Sequence, residues 1–304
     1  MTKDTLACGD LLAFRRYAYA RSAAEDGDWR AAAEVLEQAL ERAPNWAPAW
    51  FALGEAREKL GDRAGAAEAF RATLRADPSD AQGAGARLAL LGVGETPKAL
   101  PKAYVARLFD DYAPRFDQHL TGELDYRAPA LILDALEAAA GARRFTRGLD
   151  LGCGTGLMGA ALRGRVDELV GVDLSPAMIA KARETGCYDA LEVGDVAEFL
   201  ATRERREFDL VVAADVLAYL GDLEDVVASI ARALAPGGLF AFTVETFEGK
   251  GFRLGPAMRF AHSRAYVLVT AAAAGLRPLV LVDASARREA GREVPGLIGV
   301  FAAG

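Results

Sequence analysis

The chain has few of the residues that most often carry chemistry on their own, with three cysteines and two histidines in 304 residues. Cys8, Cys153 and Cys187 show no CxxC or Cys/His spacing, so neither a zinc site nor a disulfide framework is indicated, and no metal is expected. A surplus of positive charge is also missing: 36 Lys and Arg stand against 43 Asp and Glu, a net charge of −7. Neutralising a phosphate backbone needs a basic face, so nucleic acid is not the expected partner. Arg143, Arg144 and Arg147 lie beside a strand start, and Arg203, Arg205 and Arg206 are interleaved with Glu, which reads as solvated surface. No run reaches the roughly 18 apolar residues of a membrane span. Met1 to Asp10 carries charge and no long apolar stretch, so no leader is expected. A cytoplasmic, reducing location and no membrane partner follow. What is present is 52% hydrophobic and 26% charged residues, enough for a sizeable core in one large domain or two ordinary ones.

The N-terminal third is rich in Ala, Glu and Arg and poor in β-branched residues, which favours helix throughout. It also repeats. Gly27, Ala32, Leu36, Ala39 and Pro44 recur 34 positions later as Gly61, Ala66, Phe70, Thr73 and Pro78. This resembles the tetratricopeptide repeat in period and in its small/large pattern. Ala32 and Ala66 allow close helix approach, Leu36 and Phe70 fill the groove, and Pro44 and Pro78 end the second helix of each pair. Trp50, Leu53 and Gly54 give the large-large-small series of the second copy. The first copy has Arg16, Tyr19 and Ala20, where Tyr19 and Ala20 keep the size pattern and Arg16 replaces an apolar residue. Asp80 to Leu91 reads as a capping helix. Two repeats are fewer than a self-supporting stack usually needs, so the stack either binds a protein partner or supports its neighbour or a dimer. The all-α domain is expected over 1–91.

Gly92 to Pro101 holds two glycines and two prolines and reads as a linker. From Tyr104 to Leu120, an apolar face (Val105, Leu108, Phe109, Tyr112, Phe116, Leu120) predicts a helix split by Pro114. Beyond Arg127 strands and helices alternate, which implies a doubly wound, mostly parallel sheet. A helix over about 127–140 precedes the first strand, and Leu223–Leu234 forms a helix that Gly237-Gly238 stops. Pro278–Asp283 and Gly296–Phe301 read as an antiparallel terminal pair joined by a polar loop, 284–295.

Within this pattern Gly148-Leu-Asp-Leu-Gly-Cys-Gly-Thr-Gly156 joins a strand, a glycine turn and the helix Leu157–Leu162. Glycines allow positive φ and close ligand approach, and the helix start directs free N–H groups at the turn. Asp150 inside the motif suits an ammonium group better than a pyrophosphate. Four further stretches follow in order: Val170-Gly-Val-Asp-Leu-Ser-Pro176, Leu191-Glu-Val-Gly-Asp-Val196, Phe208 to Leu217, and Pro236 to Glu245. Together the five resemble the class I S-adenosylmethionine-dependent methyltransferases, and the whole chain resembles methyltransferases that carry N-terminal tetratricopeptide repeats.

The resemblance implies a Rossmann-like domain over 102–304 with a seven-stranded sheet and lid helices at 102–126. S-adenosylmethionine is the implied cofactor. Asp173 would hold its ribose, Asp195 and Val196 its adenine, and Asp150 its ammonium. Gly152, Gly154, Gly156, Leu174 and Ala213 would line the same site, and Tyr112 and Phe116 would close over it, unless that aromatic stripe only packs. The implied acceptor is a small molecule or a protein. The Asn/Asp-Pro-Pro-aromatic motif of nucleobase-amine methyltransferases is missing after the fourth strand. Tyr219 and His262 are the candidate acceptor-side residues, His262 as general base near neutral pH or as a loop-orienting residue, just before Ser263 as a helix cap. Two other readings stay open. Gly154-Thr-Gly-Leu-Met-Gly159 also fits a nicotinamide-dependent oxidoreductase, and a repeat adaptor could retain an inactive cofactor-binding domain.

Overall fold

The computed structural model describes residues 8–122, 124–289 and 291–304. Residues 1–7, which carry most of the leader reading and the start of the expected all-α domain, lie outside the described residues. The chain divides into two compact units, residues 1–97 and 98–304.

The first unit holds α1 (Leu11–Glu25), α2 (Trp29–Arg42), α3 (Ala47–Lys59), α4 (Arg63–Ala76) and α5 (Ala84–Leu90). The repeat shows in the caps as well as the core. Asp28 accepts from the Ala31 N–H at 3.0 Å and, 34 residues on, Asp62 accepts from the Gly65 N–H at 2.9 Å. Ala32, Leu36 and Ala39 are buried, as are Ala66, Phe70 and Thr73. Gly54 is needed for close approach, since a Cβ there would lie 2.5 Å from the Phe70 ring. The first copy departs from expectation at Tyr19, which is 62% exposed. Tyr17 packs instead, its ring 4.7 Å from that of Trp46, and Arg16 donates to the Gln38 carbonyl at 2.9 Å. A polar rim at position 16 and an aromatic two residues earlier than expected thus do the work of the family's large pair. The capping helix α5 is shorter than its sequence pattern, because Asp80 turns the chain and accepts from the N–H groups of Ala84 and Gly85.

The second unit begins inside the expected linker. The Lys98 carbonyl accepts from the N–H groups of Gly221 and Asp222 at 2.8 Å, and the Leu100 N–H donates to the Tyr219 carbonyl at 2.9 Å. Next come α6 (Lys102–Tyr112), a 3-10 turn at Ala113–Arg115 where Pro114 interrupts the helix, α7 (Phe116–Gly122) and α8 (Ala128–Ala140). Alternation follows: β1 (Phe145–Leu151), α9 (Leu157–Leu162), β2 (Val166–Asp173), α10 (Pro176–Thr185), β3 (Ala190–Val193), α11 (Val196–Thr202), β4 (Phe208–Ala213), α12 (Glu224–Ala233) and β5 (Leu234–Thr246). The chain closes with β6 (Phe252–Leu254), β7 (Phe260–His262), α13 (Arg264–Ala273), β8 (Leu276–Asp283), β9 (Arg288–Glu289), β10 (Arg292–Glu293) and β11 (Gly296–Ala303).

The main sheet runs β3-β2-β1-β4-β5-β11-β8. Strands β1 to β5 pair in parallel, and β11 is antiparallel to both β5 and β8. These are the seven expected strands. Two short ones extend them, since β7 pairs with the end of β5 and β6 with β7, making nine. Order reverses between β1 and β4, which opens a crevice at the carboxyl ends of the strands. Leu149, Leu151, Val211 and Phe240 fill one face of the sheet, and Ile132, Leu136, Leu210 and Ile298 fill the other.

Two local readings are corrected. Gly237-Gly238 does not stop α12. It lies within β5, where Leu234 pairs with Phe208 and Leu239 with Leu210, so the glycines form an irregularity in the strand. The 284–295 loop is not plain loop, since β9 and β10 pair antiparallel within it. Its base is tied to the start of α8 by Arg127 N–H to Ala286 O at 2.8 Å and Arg288 N–H to Leu124 O at 2.7 Å.

Candidate active site

A cavity of about 390 Å³ opens at the switch point. Its floor is the loop after β1 with Gly152, Cys153, Gly154 and Thr155, and its walls carry Asp173, Leu174, Asp195 and Val196 from the ends of β2 and β3. Tyr112 and Phe116 line it from the α6–α7 segment, and Tyr219 from beyond β4. The structure brings these expected residues together. Asp150, Gly156 and Ala213 are not on the cavity wall.

Asp173 is the hinge of the site. One carboxylate oxygen accepts from the Gly154 N–H at 2.9 Å and the other from the Ser175 N–H at 2.8 Å. Burial pushes its pKa up, and those two N–H donors pull the other way. Asp195 caps α11, accepting from Ala197 and Glu198 N–H groups, and pairs with Lys102 Nζ at 3.1 Å. Capping and cavity-lining roles thus coexist in one carboxylate.

Asp150 sits one layer below. Its side chain is fully buried at the foot of the loop, where Oδ2 accepts from the Tyr188 hydroxyl at 2.7 Å. Tyr188 in turn accepts from the Gly159 N–H at 3.2 Å. Through Oδ2, Asp150 therefore props the glycine loop against α9. Asp150 Oδ1 has no partner among the described residues, and burial pushes the acid up to about 7. Gly156 starts α9 with φ 97°. Ala213 is core, and the cavity wall begins at the next residue, Ala214. Cys153 lines the cavity, and burial pushes its thiol pKa up, away from the reactive thiolate.

The α6–α7 segment is fastened to each loop in turn. Lys102 reaches Asp195 after β3, Asp110 accepts from Ser175 Oγ at 2.6 Å after β2, and Thr155 Oγ1 after β1 donates to Asp117 at 2.5 Å. Tyr112 and His119 hydrogen bond to each other across the turn. This one segment contacts all three loops that line the cavity floor and wall.

His262 departs from its expected role as base. It lies in β7, fully buried, and does not line the cavity. Its Nε2 lies 2.9 Å from the Leu220 carbonyl and 3.0 Å from that of Gly221, so Nε2 carries the proton. Its ring stacks on Tyr266, and Nδ1 has no partner among the described residues. Burial pushes its pKa down to about 4, against the two carbonyls and Glu245, which push it up. The histidine pins the chain behind Tyr219. Because the folded pKa is depressed below the free value of about 6.5, the histidine's contribution to stability is whole above that pH and declines towards pH 4, by about 3 kcal/mol in all. His262→Gln, which donates without titrating, should flatten that part of the wild-type pH–stability curve and leave cofactor affinity unchanged. Parallel urea titrations at pH 7.5, 5.5 and 4.5 read the difference, and identical curves would remove the pinning role.

A group of charges went unseen in the sequence. Asp215, two residues past β4, takes hydrogen bonds from Arg259 and Arg287, and Glu245 on β5 does the same. Arg287 also reaches Glu289 at 2.6 Å, and Arg259 donates to the Tyr219 hydroxyl at 2.7 Å. Burial alone would push Glu245 up, but the two guanidiniums hold it below the usual carboxylate range. Arg287 is only 5% exposed although it comes from a polar loop. Its one sequence signal, an Arg-Arg-Glu run in the 284–295 loop, resembles any solvated turn.

The strand order, the reversed terminal pair and the cavity at the switch point define the Rossmann-like class I methyltransferase fold. Residues 149–242 match the family described as a methyltransferase domain, and residues 23–90 match the tetratricopeptide repeat. The chain thus carries a methyltransferase domain and, ahead of it, tetratricopeptide repeats. It is similar to malonyl-[acyl-carrier protein] O-methyltransferase of Enterobacter lignolyticus, 38% identical over 143 residues, which is 47% of this chain and 53% of that protein. The chain spans about half the length of the relatives it matches. Among solved structures, N-methyltransferase NodS of Bradyrhizobium japonicum, in complex with S-adenosyl-L-homocysteine, superposes with TM-score 0.52 at 18% identity, covering 66% of this chain and 98% of that one. The [4+2]-cyclase SpnF superposes with TM-score 0.54 at 20% identity, covering 66% of this chain and 94% of that one. Among the described residues, no helix is long and apolar enough to cross a membrane.

Proposed function

We propose that this protein transfers a methyl group from S-adenosylmethionine to a small-molecule or protein acceptor, with the repeats positioning a protein partner. The observation that carries the reading is the meeting of Gly154, Asp173 and Asp195 on one cavity wall beneath Tyr112 and Phe116. The residues fit the cofactor. Asp173 and Asp195 are acceptors at and just beyond the ends of the adjacent strands β2 and β3, suited to a ribose diol and an adenine amino group. Gly154 leaves open space where a Cβ would meet only the Phe116 ring, at 3.9 Å. The bound cofactor supplies an activated methyl group on sulfur. The chain's own part is to hold it, to keep water out with the aromatic segment, and to orient the acceptor. A cytoplasmic location and no nucleic-acid partner go with this reading, in keeping with three unpaired cysteines and the acidic balance.

The test is calorimetric titration of the full chain with S-adenosylhomocysteine and, in parallel, with NADH. Micromolar binding of the first alone, lost in a Gly154→Val variant that circular dichroism shows to be folded, is the expected result. NADH binding would replace the reading with an oxidoreductase. S-adenosylhomocysteine binding without methyl transfer from tritiated cofactor to any cell-extract fraction would leave an adaptor.

A further inference from the structure

Besides the cofactor wall, the cavity is bounded by Tyr126, Asp215, Tyr219, Arg259, Arg287 and Glu289. We infer that this end receives a hydrogen-bond-donating acceptor, a hydroxyl or an amine, oriented by Asp215, and that it rejects a carboxylate. The inference rests on the methyltransferase reading and specifies its acceptor class.

Two arginines on a cavity wall ordinarily point to an anion, and here the hydrogen bonds say otherwise. Arg259 donates through Nε to Glu245, through Nη1 to Tyr219 and through Nη2 to Asp215. Arg287 donates through Nε to Glu289, through Nη1 to Asp215 and through Nη2 to Glu245 and Glu289. Each guanidinium nitrogen already donates to a neighbour, so the two positive charges are directed at the cluster's own acids. Two positive charges face three carboxylates, so the cluster keeps one surplus negative charge. An incoming carboxylate would compete with acids already paired to both arginines and would meet like charge in a partly desolvated wall.

What the cluster leaves open is an acceptor. Both arginines bond Asp215 through Oδ1, while Oδ2 has, among the described residues, only a 3.4 Å contact with Arg287. The position of that oxygen is over-determined. Asp215 has φ 62°, unusual for a residue with a Cβ, and its backbone N–H is tied to Thr243 Oγ1 at 2.8 Å on β5. A neighbouring strand and two guanidiniums thus fix Asp215 on the cavity wall with one carboxylate oxygen only weakly engaged. A carboxylate acceptor is charge-assisted, so an O–H or N–H is the group it selects. Tyr219, whose hydroxyl oxygen already accepts from Arg259, keeps its proton for the acceptor's lone pairs.

Three probes that share a butylphenyl body separate the classes: 4-butylphenol, 4-butylaniline and 4-butylbenzoate. They are titrated into the full chain, with and without saturating S-adenosylhomocysteine, by calorimetry at pH 7.5. The phenol or the aniline should bind at least about tenfold more tightly than the benzoate, by exclusion of like charge. Asp215→Asn should bring that preference below about threefold, since it removes the surplus charge. Glu289→Gln, on the outer side of the cluster, should narrow it in the same direction and serves if the Asp215 variant does not fold. Benzoate binding as tightly as the others, no binding by any probe, or a preference untouched in both variants overturns the inference. Failure to bind S-adenosylhomocysteine overturns the cofactor reading instead, and the probe preference in the free chain is scored independently of it.

Discussion

Asp173→Ala is expected to lower S-adenosylhomocysteine affinity by two to four orders of magnitude. A carboxylate that accepts two ribose hydroxyls makes two charge-assisted hydrogen bonds at about 1.5–3 kcal/mol each, which corresponds to a loss of roughly 10²- to 10⁴-fold. The geometry adds to the direct loss. Asp173 also accepts from the N–H groups of Gly154 and Ser175, so its removal frees the glycine loop and unties the turn into α10 at the same time. Asp173→Asn, which keeps one acceptor oxygen and no charge, should fall between the two. Calorimetric titration of both variants, with circular dichroism to confirm the fold, gives the comparison. An Asp173→Ala affinity within tenfold of the parent would mean that the ligand does not sit at the end of β2.

Phe70→Ala is expected to cost about 3–5 kcal/mol, the range for a fully buried aromatic replaced by a methyl group. Phe70 is 0% exposed, packs 5.4 Å from the Phe51 ring and lies so close to Gly54 that a Cβ there would be 2.5 Å from its ring, with Arg87 over the ring at 5.8 Å. Its neighbours in the cluster include Ala66, Ala67 and Ala84, which are too small to fill the space, beside Leu88 and Leu91. Loss on this scale is a large fraction of a domain's usual 5–15 kcal/mol. Urea denaturation followed by far-UV circular dichroism should show a transition at much lower denaturant. Unchanged S-adenosylhomocysteine affinity is the control, because Phe70 does not line the cavity. A cost under about 1 kcal/mol would mean that the repeat pattern does not report the packing.

The glycine motif was readable because strand, turn and helix start are contiguous, and each leaves its mark within a few residues. The same holds for Asp173 and Asp195, which end apolar runs, and for Ala32, Phe70 and their partners, which recur at a fixed period. Where a role depends on a distant neighbour, the sequence is silent or misleading. Histidine at 262 reads as a base only if it faces the ligand, and two carbonyls at positions 220 and 221 decide that it does not. Nothing near Asp150 in the sequence signals that Tyr188, 38 residues on, holds one of its oxygens. Lys98 to Pro101 carry linker composition, and their pairing with residues 219–222 makes them part of the cavity edge instead.

By itself the sequence determined the repeat-then-α/β order, the parallel alternation with its reversed terminal pair, and the two strand-end acids beside a glycine loop. These follow from backbone propensity and periodicity, which act over a few residues. Only the tertiary structure decided which polar side chains share a wall. Asp215, Glu245, Arg259 and Arg287 are separated by up to 72 positions and meet because their strands and loops end at one edge of the sheet. Charge and burial at that edge are properties of the assembled neighbours, and no single segment of the chain encodes them.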